Sequence, residues 1–257
     1  VFTVAVLSGL VIRGQMAGAP ERLLARFWQP LVGSQNAVLL CVGDSDVPAP
    51  GAQAGSPRPV EDSTAQTIPE RALRRSQRVF LNDAIALARI VGCLKENAKP
   101  YRIFAHSDLT FSDLQSSPAV FIGLRNNYWT ANLIGTLRFT VVRGPTPNAL
   151  ILRDKKNPSR NDWSVDLFTP YAQPTKDYAL VARELHPQTG QVVLTIGGIT
   201  GQGTLAASEF ITNPEQFKAL RPYLPKDWVK KNMAIVLSTE VIRGSPGSAK
   251  IVAVDFW

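Results

Sequence analysis

The chain has 257 residues, 45% of them hydrophobic and only 19% charged, enough to bury a sizeable core and unlike the composition of a disordered polymer. Its formal charge is +8, yet the basic residues fall in small separate groups: Arg71, Arg74, Arg75 and Arg78; Lys155, Lys156 and Arg160; Lys226, Lys230 and Lys231. A nucleic-acid binder gathers such charge on one helix or stripe with aromatics between, so the scatter argues for a solvated basic surface and against direct nucleic-acid binding by this segment.

The opening run VFTVAVLSGLVI (1–12) is uncharged and closed by Arg13. It is shorter than the roughly 20 residues that cross a bilayer, and no basic segment precedes it as a signal peptide requires. It reads as the end of a membrane anchor, with a buried first strand or helix as the alternative. An α/β domain then opens over 13–42. QMAGAPERLLARFW reads as a helix with Pro20 near its start and Leu23, Leu24, Phe27 and Trp28 on one side, and NAVLLCV (36–42) as a buried strand. Residues 43–75 form a Pro-rich loop, and 43–70 carry Pro48, Pro50, Pro57, Pro59 and Pro69 with almost no large apolar residue, which predicts an exposed or disordered excursion.

Residues 76–145 read as one α/β half. Ala84, Leu87, Ala88, Val91 and Leu94 recur at helical spacing, with Asn82 or Asp83 as cap. YRIFAH (101–106) is a strand, TFSDLQSS a short helix capped by Thr110, PAVFIGL (118–124) a buried strand, NNYWTANLIGTL a helix and RFTVV (138–142) a strand. This alternation predicts a mixed, mostly parallel sheet in the first half. Residues 146–257 predict a second α/β half rich in hairpins. NALILRD is a strand, DYALVAREL and QVVLTIGGI flank HPQTG, and MAIVLSTEVIRG and SAKIVAVDFW flank a turn at Ser245, Pro246 and Gly247.

The segment LTIGGITGQGTLAASEF (194–210) places four glycines between a strand-like run and a helix-like one. Gly198 to Gly203 fits the outer frame of a phosphate loop, but Thr204 and Leu205 stand where its lysine and hydroxyl belong. Gly201, Gly203 and Ala206 fit G-x-G-x-x-A, yet an Asn-Pro break and a second helix follow instead of the strand with its acidic residue. The segment therefore predicts either a tight turn or a small-anion site in which unsatisfied helix-start amides face a ligand. GLRNNYWT (123–130) also ends an apolar strand. In a parallel sheet Arg125, Asn126, Asn127 and Trp129 would face Gly198, Gly201, Gly203 and Thr204 across a crevice beyond the strand ends. The plainer alternative makes Asn126 and Asn127 helix caps and Trp129 core.

Catalytic and metal chemistry find little support. His106 and His186 are the only histidines, and neither H-E-x-x-H, C-x-x-C nor G-x-S-x-G occurs, so no metal site and no cofactor are expected. His186, at a hairpin turn, is expected to be exposed. His106 at a strand end and Glu209 near the glycine segment are the weak catalytic candidates of an alternative reading, a hydrolase or transferase acting on a small ester or phosphoester. Cys41 and Cys93 lie in apolar runs and read as buried free thiols, although a disulfide would only require Cα atoms within about 7 Å.

FWQPLVGSQNAVLLCVG, PAVFIGLRNNYWT, LRFTVV, DYALVAREL, GGITGQGTLAASEFITNP, KDWVKKNMAIVLSTEVIRG and the closing FW together resemble a family of bacterial membrane proteins over most of residues 27–257. In that family an N-terminal winged-helix DNA-binding domain precedes one transmembrane helix and a large C-terminal region of this kind. The resemblance implies a sensing role and transfers no catalytic residue. The combined expectation is an α/β ligand-binding domain, anchored to the membrane through an N-terminal helix, extracytoplasmic, and arranged like a periplasmic binding protein. Its expected partners are a small polar or anionic ligand and, as a homodimer, a second copy; a protein-interaction domain without a small ligand is the further alternative.

Overall fold

The computed structural model describes residues 19–44, 79–173 and 175–257. The apolar run at 1–12, the prolines of the 43–75 loop and the arginines at 71, 74, 75 and 78 lie outside the described residues.

Four strands carry the parallel part of the main sheet: β1 (Val38–Val42), β2 (Tyr101–Ala105), β3 (Ala119–Ile122) and β8 (Val192–Gly198). β1 pairs in parallel with both β2 and β3, and β3 with β8. β7 (Thr175–Leu185) and β9 (Met233–Ile242) continue the sheet antiparallel, and the short β10 (Ser245–Pro246) and β11 (Lys250–Phe256) both pair with β9. The order is β10-β9-β7-β8-β3-β1-β2 with β11 also on β9, a mixed α/β sheet whose parallel part joins three strands of the first half to β8 of the second, with hairpins in the second half. β1 and β3 are buried at every residue, which is why they read as unbroken apolar runs.

RFTVV does not join this sheet. As β4 (Phe139–Arg143) it pairs antiparallel with β5 (Ala149–Asp154), and β5 with β6 (Ser164–Asp166), forming a separate three-stranded sheet. The place beside β3 goes to β8, from the other half of the sequence. Strands of both halves thus share one sheet, and the crevice opens beyond the carboxyl ends of its parallel strands.

One face of the main sheet packs under α1 (Ala19–Val32), α2 (Leu81–Glu96) and α5 (Gly201–Phe210), where Phe27, Trp28, Ile90 and Phe210 meet Leu40, Val120, Val181 and Ile196. On the other face, α3 (Phe111–Ser116) and α4 (Tyr128–Leu133) set Leu114 and Leu133 against Leu39 and Phe121. There too the small sheet sets Phe139, Leu152 and Trp163 against Leu180 and Val236. Among the described residues no helix is long and apolar enough to cross a membrane.

Local expectations fare unevenly. Thr110 and Asp113 form a reciprocal capping box at α3, as the T-F-S-D spacing suggests. α2 is capped by neither Asn82 nor Asp83: its N-cap is Phe80, and its buried face runs through Asp83, Ala86, Ile90 and Leu94, leaving Ala88 exposed. After α6 (Pro214–Phe217) the chain tightens into a 3-10 turn, so the second C-terminal helix is shorter than its pattern. The last hairpin turns at Arg243 and Gly244, both at positive φ, one step before the Ser-Pro-Gly triplet. His186 is 2% exposed, not on the surface, and its backbone closes the β7–β8 turn through bonds with Gln191 and Gly190. Cys41 is a buried free thiol and Cys93 a half-buried one rather than buried; burial pushes both up to about 12, with Glu96 adding to the shift at Cys93.

Burial also pushes the Glu184 carboxyl on β7 from its ordinary 4.5 up to about 7. The folded protein therefore holds this proton more tightly than the unfolded chain, and stability falls as pH rises between about 4.5 and 7. Glu184→Gln is expected to flatten that slope and to stabilise the protein at pH 8 by roughly 1–2 kcal/mol. Urea midpoints at pH 5 and pH 8 read the effect, and an unchanged slope assigns it to another group.

Candidate ligand-binding site

The chain runs from β1 to β2 on one side of the sheet and then crosses to β3 on the other. The carboxyl ends of β1 and β3 are therefore a topological switch point, where connecting segments diverge and leave a crevice. Asn126 closes its floor. Its Nδ2 donates to Asp83 Oδ2 at 2.8 Å, and its backbone carbonyl accepts from Asp44 N at 3.0 Å, tying the ends of β1 and β3 to the start of α2. Two glycines make room for it: a Cβ at Gly43 would stand 2.6 Å from Asn126 O, and one at Gly123 (φ +100°) 2.2 Å from Asn126 Oδ1.

Above this floor is a cavity of about 400 Å³. The start of α2 contributes Phe80, Leu81, Asn82 and Asp83, and the β3 end contributes Arg125 and Asn126. Gly198, Ile199, Thr200, Gly201 and Thr204 form the wall after β8, and Leu167 comes from the segment after β6. Five residues singled out from sequence, Arg125, Asn126, Gly198, Gly201 and Thr204, thus line one cavity with others that were not.

The glycine segment has an internal anion. Asp177, 1% exposed on β7, accepts from Gly203 N at 2.6 Å, Thr200 Oγ1 at 2.6 Å, Thr200 N at 3.1 Å and Tyr178 N at 2.8 Å. Gln202 N turns to Thr200 Oγ1. The α5 amides expected to face a ligand unsatisfied are therefore largely taken by the protein itself, and α5 starts at Gly201, three residues before its apolar pattern. Gly203 is glycine for packing: a Cβ there would lie 2.8 Å from both Asp177 Oδ2 and Gly198 Cα. The Thr204 hydroxyl, although on the cavity wall, accepts from Gly198 N.

Asn127 and Trp129 are not on the cavity wall. Asn127 is fully buried. It donates to Cys41 O and Ile122 O, and its Oδ1 accepts from Trp129 N and Thr130 N to cap α4. Trp129 packs against the Leu39–Phe121 cluster and donates to His106 O. Nor do the catalytic candidates meet there. His106 Nδ1 accepts from Asp44 N, and Glu209, near the far end of α5, is held by Gln216 and Arg89. Among the described residues no group of three metal-ligating side chains is found.

What distinguishes the cavity electrostatically is Arg125. It is half-buried, no carboxylate pairs with it among the described residues, and burial together with nearby Arg143 lowers its pKa. Asp83, on the α2 wall, is 3% exposed, and burial raises its carboxyl against the pull of the Asn126 bond. Sequence reading treated Asp83 only as a cap and passed over Asp177 and the apolar Phe80, Leu81, Leu167 and Ile199. Their partners are remote in the chain, and the only advance sign was the switch-point rule. No family model matches the chain, and comparison with curated proteins and with solved structures finds no match.

Proposed function

We propose that this chain is the ligand-binding sensor domain of a membrane-tethered regulatory protein, and that the switch-point cavity takes a small polar or anionic ligand. Arg125 carries the reading: a half-buried guanidinium that no carboxylate pairs among the described residues, on the wall of a pocket of ligand size, is stabilised when a bound anion supplies the counter-charge. The regulatory role, the anchor and the extracytoplasmic placement rest on the segments that resemble the winged-helix membrane proteins.

Asp177 argues against nucleotides. With the α5 amides engaged and no lysine in the glycine segment, little remains to balance a triphosphate. A thermal-shift and calorimetric panel of small carboxylates, phosphates, sugars and Mg-nucleotides tests the reading, because a ligand that binds only the folded state raises its melting point. A small ligand bearing a carboxylate is expected to bind, and Arg125→Ala to weaken it by roughly 1.5–3 kcal/mol, about 10- to 150-fold. Tight Mg-ATP or Mg-GTP binding, or a ligand indifferent to Arg125, would overturn it.

A further inference from the structure

The cavity holds two charges of opposite sign that do not neutralise one another. Arg125 and Asp83 both line it, yet no ion pair joins them, and neither has an opposite charge beside it among the described residues. The Asp83 carboxylate accepts a hydrogen bond from the neutral amide of Asn126, the chain neighbour of Arg125. Both charges face one cavity of about 400 Å³, the size of a small molecule.

We infer that the ligand is a zwitterion, an α-amino acid with an apolar side chain, whose carboxylate meets Arg125 and whose ammonium meets Asp83. The inference rests on the reading of the cavity as a ligand site and narrows its chemistry. A simple anion completes Arg125 but lies beside a buried carboxylate, and a simple cation has the converse defect; burying a charge without its partner is costly in either case. A phosphate dianion is worse placed, since Asp83 repels it and Asp177 already occupies the α5 amides. A zwitterion satisfies both charges. The remaining wall suits its side chain, for Phe80, Leu81, Leu167 and Ile199 are apolar. Phe80 is 43% exposed, Leu81 73% and Leu167 44%, so bare hydrocarbon is left at the mouth for a ligand to cover.

The test compares free leucine and phenylalanine with the acids lacking their amino groups, 4-methylpentanoate and 3-phenylpropanoate, and with the amines lacking their carboxylates, 3-methylbutylamine and 2-phenylethylamine. Calorimetry on the full chain is expected to show binding of an amino acid, weakened about 10-fold or more by loss of either charge. Asp83→Asn, which keeps the shape and an acceptor for Asn126, should remove the preference for amino acid over acid, and Arg125→Ala the preference for amino acid over amine. Should either variant fail to show a cooperative melt, the ligand series on the unaltered protein still decides. An acid that binds as tightly as its amino acid overturns the zwitterion and leaves the anion site standing. The same holds if none of these compounds binds while another carboxylate does. Absence of binding by these compounds and by the wider panel sinks both readings.

Discussion

Asp177→Ala is expected to destabilise the protein by about 3–5 kcal/mol and to abolish ligand binding with it. The carboxylate is the acceptor for Gly203 N, which is buried, and for Thr200 N and Thr200 Oγ1, which are part-buried. Each buried donor left without a partner costs about 1–3 kcal/mol, a large share of a stability of roughly 5–15 kcal/mol. Binding fails for a geometric reason, since Gly198, Thr200, Gly201 and Thr204 wall the cavity and the carboxylate sets where they stand. Asp177→Asn retains one acceptor but places an amide donor before other donors, so a smaller loss in the same direction is expected. Gly203→Val should resemble Asp177→Ala, because the new side chain displaces the carboxylate. Urea unfolding and hydrogen exchange at the Gly203 and Thr200 amides provide the measurement. A midpoint and exchange rates equal to those of the unaltered protein would show that these donors are satisfied some other way. The carboxylate also has a pH signature. Burial pushes Asp177 from its ordinary 3.8 up to about 6 despite its hydrogen bonds, so its ionisation lowers stability as pH rises through that window, adding to the effect of Glu184.

The parts of the fold legible in the sequence are those whose signal is local. β1 and β3 announce themselves because both faces are covered, the α3 capping box because its partners are three residues apart, and the β7–β8 hairpin because Gly190 takes a positive φ (67°). The partner of β4 was not legible: RFTVV has the same apolar character as a main-sheet strand, and only the competition for the edge of β3, won by β8, sends it to the other sheet. The candidate site divides along the same line. Arg125, Asn126 and the glycines follow apolar strands and were marked by that position. Asp83 and Asp177 act on groups 43 and 23 to 26 residues away, and nothing adjacent to them in the chain reports it. Asn127 and Trp129 show the reverse error, because the residue types that bind a ligand also cap a helix and fill a core.

Arg183→Ala should cost about 4 kcal/mol, far more than loss of any surface ion pair. Arg183 lies on β7 at 2% exposure, and no carboxylate pairs with it among the described residues. Its guanidinium donates to four backbone carbonyls, Phe27 O at 2.8 Å, Trp228 O and Val229 O at 3.1 Å and Lys231 O at 3.2 Å, and stands over the rings of Phe27 and Trp228. Three of those carbonyls belong to the turn that launches β9, so one side chain holds α1 and that turn against the sheet. Burial lowers its pKa only to about 10, so it stays charged at neutral pH and its hydrogen bonds are charge-assisted. Alanine would leave the carbonyls short of donors and open a cavity between two aromatic rings, two penalties that add. Lys250 supplies the control: its Nζ meets Glu240 Oε1 at 3.1 Å with the two side chains 70% and 56% exposed, so water replaces most of what is lost. Lys250→Ala is expected to leave the melting point nearly unchanged. For a chain of this size the Arg183 loss corresponds to a melting point lower by about 8–16 °C. An Arg183→Ala protein that melts no lower than Lys250→Ala would show that the four carbonyls find other donors and that the turn before β9 stands without them.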